Sequence, residues 1–83
     1  MMVSDMARHT FTRAERDALT PGTAVEWRNG AHWHPGVVVT SPRSDYVTGG
    51  EFAEVRHTGR NTSTVRRGDV ITITPASFRF PEV

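Results

Sequence analysis

Cysteine is absent from this 83-residue chain. That excludes a disulfide framework and any thiolate metal site, and it fits a reducing compartment. Lysine is absent too, so all ten basic residues are arginines. Each is a planar fork suited to carboxylate, phosphate or aromatic stacking. No apolar run approaches the roughly 20 residues of a membrane span. The opening "MMVSDMARHT" lacks the apolar core of a secretion signal. These absences lead us to expect a cytoplasmic protein with no membrane association. Formal net charge is only +1, whereas nucleic-acid-binding domains usually carry a clear basic excess. Catalytic signatures are also missing. There is no nucleophile elbow, and the glycines of "VTGGEF" are followed by neither a helix nor a lysine. We therefore expect no enzyme, no cofactor and no metal.

The chain is long enough for one domain. Residues 1–10 show no periodicity and read as a flexible tail. The domain proper is expected over 11–83, beginning with a helix at 12–19. Thr12 and Glu15 have the spacing of a capping box, in which each side chain satisfies a free backbone N–H of the helix start. Pro21-Gly22 stops the helix. So short a helix is unstable alone, and Phe11 and Leu19 must dock it.

From Thr23 onward the pattern is strand and turn. "TAVEWR" and "HWHPGVVVTS" flank Asn29-Gly30, a strong hairpin signal. A two-residue turn there pairs Trp27 with His32, and a three-residue loop pairs Trp27 with Trp33. Both registers stay open. Pro35-Gly36 suggests a bulge. "PRSDYVTGG" reads as a polar loop, followed by strands "EFAEVRH", "TSTVRR", "VITIT" and "FRF". A Gly59-Arg60-Asn61 loop in the second hairpin places Val55 opposite Val65 and Glu54 opposite Arg66. Alternation offers Val25, Trp27, Trp33, Val37, Val39, Val55, Val65, Ile71, Ile73, Phe78 and Phe80 as core. With no crossover helix a parallel sheet is excluded. So few antiparallel strands must curl to hide their edges. The expected fold is mainly β: a small, strongly bent antiparallel barrel of five to six strands with a short N-terminal helix.

The stretch "GTAVEWRNGAHWHPGVVV" resembles the opening of SH3-like small barrels of the Tudor or KOW kind. These begin with a glycine, a strand, a polar hairpin turn and an aromatic-x-Pro/Ala-Gly-x-Val pattern. "EFAEVRHTGRNTSTVRRGDVITITPASFRF" resembles the remaining strands, with "PAS" where such barrels carry a short helical turn. The resemblance spans about Thr20 to Pro81 and implies a non-enzymatic module that binds peptides, proteins or nucleic acid. Readers of methylated side chains carry a cage of three or four aromatics. Here only Trp33, Tyr46 and Phe52 are available, and Trp33 is assigned to the core.

His32 and His34 are two apart on a strand and share a face, where a metal would need a third ligand such as Glu26 or His57. Two histidines alone favour ordinary surface residues. Phe52 points outward with Glu54 and Arg56, either as a contact surface or covered by the helix through Phe11 or Leu19. Arg28, Arg56 and Arg66 form a possible basic stripe suited to phosphates, set against a surface ion-paired with Glu26, Glu54 and Asp69. The expected partner-binding residues are Arg28, His32, His34, Tyr46, Phe52, Arg56 and Arg66, since aromatics and arginines dominate binding hot spots. The expected function is a protein–protein interaction module, monomeric or weakly dimeric. The alternatives are a nucleic-acid binder using the arginine stripe and a self-associating structural protein.

Overall fold

The structure, a computed structural model, describes residues 8–82. Most of the expected N-terminal tail lies outside the described residues. Arg8 and His9 are anchored: the Arg8 guanidinium donates to Glu15 and, at 2.8 Å, to the Pro75 carbonyl. Glu51 N donates to the His9 carbonyl at 2.7 Å.

One short helix, α1 (Arg13–Ala18), precedes five strands: β1 (Ala24–Asn29), β2 (His32–Ser44), β3 (Glu51–His57), β4 (Val70–Ile73) and β5 (Phe78–Arg79). The capping box is complete. Glu15 N donates to Thr12 Oγ1 at 3.1 Å, and Thr12 N donates to Glu15 Oε1 at 2.8 Å. No residue of α1 is buried. Its flanking residues Phe11 and Leu19 carry the docking, 3% and 0% exposed, as so short a helix requires.

The strands form one open antiparallel sheet in the order β4-β3-β2-β1-β5, with β4 and β5 at its edges. The mainly β character matches the sequence reading, with five strands among the described residues, in a sheet that is open and not closed into a barrel. The segment "TSTVRR" is not a strand. Its hydroxyl and amide side chains bond the local backbone instead: Val65 N and Thr64 N donate to Thr62 Oγ1, and Arg67 N donates to Asn61 Oδ1. Such bonds compete with ladder pairing. Val55 therefore faces Ile71, and Glu54 faces Thr72. Val65 still enters the core, 7% exposed, from a loop.

In the first hairpin neither anticipated register holds. Asn29 pairs with His32 and Trp27 with His34 across a Gly30-Ala31 loop. Gly30 has φ 63°, the positive value that primed hairpin turns require at their first central position. No register shift occurs at Pro35-Gly36; the shifts lie between Val38 and Thr40 and between Thr40 and Arg43. Pro35 is tolerated in the central strand because β3 pairing ends at Gly36–His57. Its missing N–H lies on the side where β3 has already ended, and its carbonyl there accepts from Thr58 N at 3.1 Å.

The register decides the core. Phe11, Leu19, Val25, Trp27, Val38, Ala53, Val55, Val65, Ile73 and Phe78 are buried, with Ile71 packed against them. Val38 takes the inward place expected of Val37 and Val39. Phe80 is 40% exposed. Gly36 is buried because Trp27 and Val55 close over it, leaving no room for a Cβ.

Candidate functional site

The sheet presents an inner face to the core and an outer face to solvent. Directly paired residues of an antiparallel sheet share a face. Trp27 and His34 are such a pair on the inner face, with ring centroids 4.8 Å apart. His57 meets Trp27 edge-on at 5.4 Å and His34 at 5.6 Å. His34 is therefore part of an aromatic cluster under the sheet and not a residue of the outer face. His32 shares its phase and is exposed at the hairpin end. His57 is fully buried; its Nε2 bonds the Arg60 carbonyl at 2.8 Å, and its Nδ1 has no partner among the described residues. Among the described residues no group of three or more His, Asp or Glu could hold a metal ion.

The outer face carries a residue that sequence alternation assigned to the core. Trp33 pairs with Arg28 and is half-buried. The Arg28 guanidinium lies 5.5 Å from its ring centre and that of Arg79 lies 4.3 Å away. Arg79 is fixed in turn by an ion pair with Glu26, its partner across β1 and β5. Arg79 was not singled out from sequence. Alternation in "FRF" places it outward, but its neighbour could not be found without the β1–β5 pairing.

Phe52 also lies on the outer face, half-buried, and pairs with Arg43. The Arg43 guanidinium stands 4.9 Å from the Phe52 ring and bonds Glu54 at 3.3 Å. The helix does not cover Phe52, because Phe11 and Leu19 belong to the core cluster instead. Phe52 lines an open cleft of about 310 Å³ together with Asp45, Thr48, Glu51, Thr72 and Thr74. Arg56 is exposed four residues further along β3.

Beside this cleft is the β2–β3 connection. Strand β2 runs to Ser44, so the expected long loop shrinks to Asp45–Gly50. It is held at both ends: Asp45 N donates to the Gly50 carbonyl at 2.8 Å, and Gly49 N to the Asp45 carbonyl at 2.9 Å. Val47 N donates to Asp45 Oδ1 at 2.9 Å. That bond, aided by Thr48, keeps the Asp45 carboxyl below its usual value. At the tip Tyr46 is 99% and Val47 93% exposed.

Comparison with known proteins gives no likeness to set beside this geometry: no family model, no curated protein and no solved structure matches the chain.

The structure thus separates the expected site residues. Arg28, Phe52 and Arg56 lie on the outer face, Tyr46 on the adjoining turn, His32 at the hairpin end and His34 underneath. Arg66 is exposed on the turn before β4, its backbone N donating to Asp69 Oδ2 at 2.9 Å. The anticipated carboxylate partners are engaged elsewhere: Glu26 with Arg79, Glu54 with Arg43, and Asp69 with the Arg66 backbone. No helix among the described residues is long and apolar enough to cross a membrane.

Proposed function

We propose that the protein is a small non-enzymatic binding module of SH3-like barrel type that engages another protein through the β2–β3 turn and the Phe52 cleft. The observation that carries this reading is the pair Tyr46 and Val47, almost wholly exposed at the tip of a turn with a fixed backbone. Fully burying a side chain of this kind is worth about 1.5–3 kcal/mol. A preformed turn gives up little conformational freedom on binding, so more of that gain reaches the affinity. Phe52 and the Arg43 guanidinium beside it supply an adjoining anchor of the residue types that dominate hot spots. The barrel assignment draws on four short antiparallel strands, a long β2 with two register shifts, and the tight turn Thr74–Ser77 ahead of β5.

A photo-crosslinking side chain at position 46 tests this in the host cell, with position 17 on α1 as control. The expected result is a discrete protein adduct at 46, absent at 17 and resistant to nuclease. Joint replacement Tyr46→Ser and Val47→Ser should remove binding of that partner while stability stays within about 0.5 kcal/mol. Adducts no different from those of the control, or only nuclease-sensitive ones, would exclude the turn as a protein contact.

A further inference from the structure

At the far end of β3 from the Tyr46 turn, the β3–β4 connection gathers arginines of a different character. The four ion pairs among the described residues use Arg8, Arg16, Arg43 and Arg79. Arg56, Arg60, Arg66 and Arg67 take part in none of them, and all four are exposed. Net charge near neutral thus conceals an uneven distribution. Carboxylates pair with Arg16 on α1 and with Arg43 and Arg79 on the sheet; Arg13 and Arg28 also stand outside the four pairs, but the largest group outside them lies at this end. Asp69 is the acidic residue here, and its Oδ2 accepts from the Arg66 backbone.

The local geometry is directional. Arg60, Asn61 and Arg67 line an open cleft of about 470 Å³. The acceptors close to it are already occupied. The Gly59 carbonyl accepts from Arg67 Nε at 3.1 Å, the Arg60 carbonyl is bonded to His57 Nε2, and Asn61 Oδ1 accepts from Arg67 N at 2.8 Å. What remains for a ligand is a set of donors: the Arg60 guanidinium, the terminal nitrogens of Arg67 and Asn61 Nδ2. A lining rich in donors and without a carboxylate partner favours an anion. The loop is also held in place. Thr58 N donates to the Pro35 carbonyl, and the fully buried His57 ties down the backbone of Arg60. A polar imidazole in so small a core is explained by this positioning task.

We infer that Arg60, Asn61 and Arg67 form an anion site that, with Arg56 and Arg66 beside it, takes successive phosphates of a nucleic-acid backbone. An extended polyanion is favoured over a single phosphomonoester because the free guanidiniums continue beyond the cleft along β3 and the turn before β4. No aromatic side chain is among the residues that line the cleft, and the ring of His57, bonded to the Arg60 carbonyl, is buried. Recognition therefore rests on phosphates and not on sequence. The inference is independent of the proposed protein contact, which lies at the other end of β3.

The test is fluorescence anisotropy with end-labelled random-sequence 20-mers offered as duplex DNA, single-stranded DNA and single-stranded RNA. Four phosphate contacts on duplex would give a log–log salt slope of about −3.6, roughly a hundredfold loss between 50 and 200 mM salt. Arg60→Gln, whose side chain makes no hydrogen bond among the described residues, should reduce the slope by about 0.9 on duplex or about 0.7 on a single strand. Arg56→Gln provides the same test from the strand. Arg67→Gln also loses a loop contact and is read only where its circular dichroism matches the parent. Tyr46→Ser should leave the slope unchanged. Absence of binding to all three probes at 50 mM salt would overturn the inference. So would a slope unaltered by both Arg60→Gln and Arg56→Gln, or tight capture of inorganic phosphate with no capture of the oligonucleotides.

Discussion

His34 lies against the indole of Trp27 on the inner side of the β1–β2 hairpin, with ring centroids 4.8 Å apart and planes inclined by 34°. The two are direct cross-strand partners, and His57 closes the cluster edge-on. Trp27 is 3% exposed. Its replacement by alanine should destabilise the domain by about 3–5 kcal/mol, as for other buried aromatic deletions. His34→Ala forfeits one aromatic contact and should cost about 0.5–1.5 kcal/mol. Urea unfolding of both variants checks the ranking. A Trp27→Ala protein of unchanged stability would show that this ring does not hold the core.

Gly36 carries the same packing from below. A Cβ there would collide with the Val55 side chain and approach Trp27 Cδ1 to 3.1 Å and the Arg56 carbonyl to 3.0 Å. Gly36→Ala should therefore destabilise by about 1–3 kcal/mol, the cost of overpacking a filled core. Thermal denaturation beside Gly30→Ala separates the mechanisms. Position 30 has free space around it but a positive φ, so its penalty is one of backbone conformation.

These inner contacts show where the sequence was readable. The capping box at Thr12 and Glu15 was legible because it is a local device with a fixed spacing. The outward place of Phe52 and Arg56 was also legible, since alternation along β3 does not depend on its partner. Phase in β2 was not. It depends on whether the hairpin loop has two residues or the three of Asn29-Gly30-Ala31, and that single-residue slip exchanges Trp33 with His34 and Val37 with Val38. "TSTVRR" has strand-like composition, but whether threonine bonds its own backbone or a neighbour is decided by tertiary context. The free arginines at 60 and 67 were visible as charges. Their freedom was not, because it depends on where Glu26, Glu54 and Asp69 spend their oxygens.

Acid should loosen the N-terminal segment first. Burial disfavours the Glu15 carboxylate, but the Thr12 N–H and the Arg8 guanidinium outweigh it and hold the carboxyl below 4.5. A lowered folded value means that its stabilisation is fully present above that pH and is lost as pH falls through the folded value. Asp45, held below 3.8, behaves alike at the Tyr46 turn. Amide exchange of residues 12–16 should accelerate below about pH 4.5 before the sheet opens. Glu15→Gln should remove the effect, whereas Thr12→Ala, which keeps the backbone N–H, should cost about 1 kcal/mol at neutral pH through the lost cap. Exchange that quickens uniformly would assign acid sensitivity elsewhere.

Metal removal should have no effect on folding. His34 and His57 are neighbours, but the Nε2 of His57 is engaged by the Arg60 carbonyl, and no third ligand stands near among the described residues. Dialysis against EDTA should leave the melting temperature unchanged. A fall of several degrees would reveal a structural metal.

The two tryptophans provide the most direct check on the hairpin register, because the observed pairing places them on opposite faces. Trp27→Phe leaves Trp33 as the sole indole, half-buried on the outer face with Arg79 4.3 Å from its ring centre. Trp33→Phe leaves Trp27 alone in the core. Acrylamide should quench the first protein readily and the second weakly. Arg79→Gln in the Trp27→Phe background should increase quenching further, since it uncovers the ring and releases Glu26. The cation–π contact at an exposed site is worth about 0.5–1 kcal/mol, so Trp33→Ala should destabilise much less than Trp27→Ala. Equal quenching of the two single-tryptophan proteins would mean that Trp33 faces the core after all. The hairpin would then have slipped by one residue, and Arg28 and Trp33 would no longer form a pair on the outer face.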